Sequence, residues 1–119
     1  MMWFASKEKV EKRLSELIER MERLSKRIAH YEEQERLSIR LGTPSNGEVA
    51  QTRDAHAHMF GTLNDARAGI SAGSVNFREI HPQLPSVSKA IAHMEWILNE
   101  ADKDVARAKQ AFRDRFGGE

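Results

Sequence analysis

Between Val10 and Tyr31 the apolar residues fall at Val10, Leu14, Leu17, Met21, Leu24, Ile28 and Tyr31, stepping alternately by four and three. That is a heptad seam, with Leu14, Met21 and Ile28 at a positions and Val10, Leu17, Leu24 and Tyr31 at d positions. The spacing predicts a helix from about Ser6 to Leu41. Beyond Tyr31 the register falters, because Glu35 and Ser38 take the next a and d places, and Gly42, Thr43 and Pro44 supply a stop. Such a helix cannot bury its stripe alone, so the remaining chain or a second copy must face it.

A weaker stripe follows. Ser45-Asn46-Gly47-Glu48 fits a capping box, and Val49, Thr52, His56, Met59, Leu63, Ala66 and Ile70 step by threes and fours behind it. The expected helix covers about 46–69, with Gly69 and Gly73 as its end. A third begins at Ser86, taken as an N-cap just after Pro85, and runs to about Phe116, where Gly117 and Gly118 close it. Its seam is Val87, Ile91, Met94, Leu98, Ala101, Val105, Ala108 and Phe112. Between the second and third helices, residues 71–85 carry Pro82 and Pro85, which argue against a continuous helix, and Val75, Phe77 and Ile80, too apolar for a free linker. A long ordered connection is expected, most economically a structural strap, with a functional loop as the alternative.

The pattern therefore predicts an all-α chain: one helical domain over 1–119, built as an elongated three-helix bundle with coiled-coil-like packing. Charge placement adds an orientation. Arg13, Arg20 and Arg27 occupy successive g positions of the first helix, while Glu95 and Asp102 occupy e positions of the third. Parallel neighbours pair g with e, so the first and third helices should run parallel with the second between them. On the solvent face, Glu8/Lys12, Glu16/Arg20, Glu19/Arg23, Glu22/Lys26 and Glu32/Arg36 are spaced for pairing within the helix.

Composition changes this picture little. The 119 residues fit one domain, and 31% charged residues suit long helices with solvated faces. Nineteen basic against 18 acidic residues leave a net charge of +1, no overall pull toward nucleic acid or an anionic membrane. The absence of cysteine excludes disulfides, thiolate nucleophiles and cysteine zinc sites. Met1–Ala5 is too short for a signal peptide, and no stretch approaches the ~20 apolar residues of a membrane span. The expectation is a soluble cytoplasmic protein, mature from residue 1, without membrane contact.

No Gly-rich phosphate loop, nucleophile elbow or H-E-x-x-H pattern is present, and the E-x-x-H signature of di-iron bundles is missing. His56 and His58 stand two apart on a helix and point about 200° away from one another, so they cannot chelate one metal. The expectation is no enzyme, no metal and no cofactor. Candidate partner-binding residues are Trp96, at an f position opposite its seam, then Phe77 and Ile80 of the connection, and Trp3 and Phe4, which extend the first seam backwards. These suggest a non-catalytic interaction protein (a small adaptor, inhibitor or assembly factor) with a protein partner, self-associating as a homodimer. The alternative is a nucleic-acid-associated regulator using Arg13, Arg20, Arg27 and Lys26, although Glu8, Glu11, Glu16, Glu19 and Glu22 interleave with them on the same helix.

Overall fold

The computed structural model describes residues 6–40 and 47–117, the last four of the first segment by backbone only. Trp3, Phe4, Leu41, the stop at Gly42–Pro44, Ser45 and Asn46 of the capping box, and Gly118 lie outside the described residues. Three long helices form the body: α1 (Lys7–Arg40), α2 (Gly47–Ala72) and α4 (Leu84–Phe112). Between the last two lie α3 (Phe77–Ile80) and a 3-10 turn, His81–Gln83, and a π-helical turn, Arg113–Gly117, follows α4. The bundle measures 64 × 28 × 20 Å with a radius of gyration of 18.9 Å. A globule of this length would have ~14 Å, so the molecule is an elongated three-helix bundle.

α1 starts where Ser6 caps it: its Oγ accepts from the Lys9 N–H at 3.2 Å, and its carbonyl accepts from the Val10 N–H at 3.1 Å. All seven predicted seam residues from Val10 to Tyr31 are buried. So is Ile18, an e position outside the expected seam. It widens the stripe because α1 packs against two neighbours at once, α2 as well as α4.

Parallel pairing of α1 and α4 is visible in their polar rungs. Arg13 meets Ser88, Arg20 meets Glu95, Arg27 meets Asp102 and Gln34 meets Lys109, each pair separated by 75 residues in the chain. A constant offset at seven-residue intervals is what two parallel helices in heptad register produce. α2 runs the other way: as it advances from Arg53 to His56, its partner on α1 retreats from Glu32 to Met21.

α2 buries Val49, Thr52, His56, Leu63 and Ile70, with Met59 and Ala66 half-buried, matching the expected stripe. Its polar members are satisfied in place. Thr52 Oγ1 donates to the Glu48 carbonyl at 2.8 Å. His56 Nε2 donates to the Met21 carbonyl at 2.7 Å, and its ring stacks on Phe60 with centroids 5.6 Å apart.

The connection departs from expectation. α2 continues through Gly69 to Ala72 and stops at Gly73, whose φ of 81° is the left-handed conformation. Gly73 N–H donates to the Ile70 carbonyl at 3.1 Å and Ser74 N–H to the Gly69 carbonyl at 2.8 Å, a Schellman ending. Gly69 has a different task. A Cβ there would sit 2.3 Å from Val75 Cγ2, so the bare backbone lets the returning chain pack against the helix. Asn76 Oδ1 then accepts from Arg78 N–H at 3.0 Å and starts α3.

From Phe77 onward the chain is helical almost without break. Pro82 and Pro85 do not interrupt it, because each sits in the first turn of its element, where the missing N–H has no helical acceptor to lose. α4 therefore begins at Leu84 rather than Ser86, which is exposed and does not cap. The long connection expected over 71–85 shrinks to residues 73–76 and two helical turns.

α4 buries Leu84, Ile91, Met94, Leu98 and Ala101. Its seam then opens: Val105 and Ala108 are half-buried, and Phe112 is 39% exposed although it lies on the predicted stripe. Among the described residues no buried side-chain nitrogen or oxygen lacks a partner.

Candidate interaction surface

Two surfaces carry the residues singled out above. The first is the arginine ladder. Arg20 Nη2 donates to Glu95 Oε1 at 2.6 Å and Nη1 to Ser88 Oγ at 3.1 Å. Arg27 Nη2 reaches Asn99 at 2.7 Å and Asp102 at 3.1 Å, and Arg13 divides itself between Glu16 and Ser88. These guanidiniums lie across the α1–α4 junction, each with a hydrogen-bond partner on α4, Arg20 the least exposed of the three. Lys26 stays exposed. The within-helix pairs expected for Arg20 and Arg36 are replaced: Arg20 reaches α4, Glu32 takes Arg53 of α2 at 3.2 Å, and Arg36 pairs with Glu33 at 3.2 Å. The hydrogen bond and charge of Glu32, helped by Asp54, hold the Arg53 guanidinium pKa above its ordinary value.

The second surface is the outer side of α4. Trp96 is 54% exposed, and neither α2 nor the α3 strap covers it. Its indole stacks on His93, with centroids 5.9 Å apart and planes 17° from parallel. Beside it the small residues Ala55 of α2 and Ala90 of α4 leave a groove of about 380 Å³, walled by Gln51, Thr52, Met94 and Ile97. Leu98, two residues on and fully buried, holds the opposite side of the helix, so the indole is displayed away from the core.

The remaining candidates do not join this surface. Phe77 and Ile80 are half-buried against the core, with the Arg78 guanidinium 5.5 Å from the Phe77 ring centre. Sixteen residues of helical rise, ~24 Å, separate Ile80 from Trp96. They serve as the strap. A further exposed aromatic pair escaped the sequence reading: Phe112 and Phe116, 5.0 Å apart, with Phe116 68% exposed. Its signal was the i, i+4 spacing of two phenylalanines at the end of α4.

His58 is exposed while His56 is in the core, and no group of three or more potential metal ligands occurs among the described residues. No described helix is long and apolar enough to cross a membrane. Comparison with protein-family models, with curated proteins and with solved structures finds no match.

Proposed function

We propose that this chain is a non-catalytic helical interaction protein, acting in the cytoplasm as a small adaptor, inhibitor or assembly factor. Its working surface is the outer face of α4 with the groove toward α2, and it self-associates. The observation that carries this reading is Trp96, exposed on the outer face of α4 and bordering a groove lined largely by apolar groups. Large aromatics in such settings supply much of the binding free energy at protein interfaces. The arginines lend no comparable support to nucleic-acid binding, because two of the three are committed to α4.

The test is affinity capture with wild-type and Trp96→Ala baits of equal helicity and melting temperature. The expected result is a protein retained by the wild type and lost by the variant. Identical capture by both would refute the assignment of this face.

A further inference from the structure

Lys89, His93, Trp96 and Glu100 stand at i, i+4, i+7 and i+11 on α4 and so form one straight stripe on its outer face. Lys89, His93 and Trp96 are exposed, and Glu100 is partly so. Read from either end the stripe is charge, aromatic, aromatic, opposite charge. Resting on the interaction role proposed above, we infer that the occupant of this face is a second copy of the chain, packed α4 against α4 in antiparallel orientation about a two-fold axis between Met94 and Glu95.

In that register each Lys89 opposes Glu100 of the second copy and each His93 opposes Trp96. The contact is isologous, as a closed two-fold dimer requires. Lys89 forms no ion pair among the described residues and is free to serve. Glu100 accepts from Lys103 at 3.2 Å on one oxygen, which leaves acceptor capacity for another cation. Other registers are disfavoured by charge: parallel pairing would set Lys89 against Lys89 and Glu100 against Glu100, and centring the axis on Trp96 would set Lys89 against Lys103. A single helix pair buries less than about 1,200 Å², so the dimer belongs to the weak, micromolar class.

Sedimentation of the purified chain at rising micromolar concentration tests this directly. The expected result is reversible dimerisation, weakened about tenfold or more by Lys89→Glu and by Glu100→Lys alone and recovered in the double charge swap. Because the chain has no cysteine, the pair Lys89→Cys with Glu100→Cys reports the register. The two sites are ~16 Å apart along one helix, too far to bridge within it, so a disulfide-linked dimer on mild oxidation is expected. A wild type that stays monomeric, a double swap as weak as the singles, or a cysteine pair that yields no linked dimer would each overturn the inference. A monomeric chain whose Trp96 still decides what it captures would overturn this inference and the self-association but leave the α4 face as the site for a different protein, whereas a dimer insensitive to Trp96→Ala together with identical capture by both baits would sink both.

Discussion

His56 is the residue that departs furthest from what a helical core ordinarily holds. Its imidazole is buried yet bonded to a carbonyl of α1 that already serves that helix's own ladder. His56→Ala should leave a cavity and lose the bond, costing about 2–3 kcal/mol. His56→Leu fills the site without orphaning the Met21 carbonyl and should be within about 1 kcal/mol of wild type. Urea melts followed by helicity would check both; equal losses for the two would mean that the hydrogen bond, not the volume, matters. The glycines make a second contrast. Gly61 lies in open space within α2, so Gly61→Ala should stabilise by about 0.5–1 kcal/mol. Gly69→Ala should destabilise by about 1–2 kcal/mol, because the new methyl meets Val75, and opposite shifts in thermal melting would confirm the pair. The two glycines look alike in the sequence, since what separates them is the returning chain at Val75.

At the scale of elements, the long helices were legible because each carries an unbroken or nearly unbroken apolar period, and burial enforces that period. The parallel relation of α1 and α4 was legible too, since Arg20 and Arg27 sit one heptad apart opposite Glu95 and Asp102. Boundaries were less so. Proline is compatible with a first turn and incompatible with an interior, and deciding which applies at Pro82 and Pro85 needs knowledge of where the preceding element stopped. The end of the α4 seam was misleading for a related reason: Phe112 keeps the period where the core has run out. The rungs themselves should differ in strength. Arg20–Glu95, with side chains 23% and 33% exposed, should show a coupling of about 0.5–1.5 kcal/mol in a double-mutant cycle. Arg27–Asp102, at 36% and 49%, should show less, and both should shrink in 1 M salt. A larger coupling at Arg27–Asp102 would contradict this ranking.

For the whole molecule, one continuous core links α1, α2 and α4, and partly buried Phe77, Ile80 and Val75 seal it where α2 turns toward α4. Leu17 and Leu98 lie fully buried on facing walls, so Leu98→Ala should cost about 2–5 kcal/mol and lower both thermal and urea midpoints. The surface facing outward was only half legible. Trp96 was evident from its f position, but the groove beside it arises from Ala55 and Ala90 meeting across two helices, which no local pattern announces. Parallel, in-register packing of α1 and α4 is what turns Trp96 away from the core. Pulsed electron paramagnetic resonance on spin-labelled cysteine pairs, diluted in unlabelled protein, tests it most directly. Labels at Lys12→Cys and Ser86→Cys should lie within ~20 Å of each other, and labels at Lys12→Cys and Gln110→Cys beyond ~30 Å, as helical rise along parallel axes requires. The reverse order of those two distances would contradict the fold and the interaction face together.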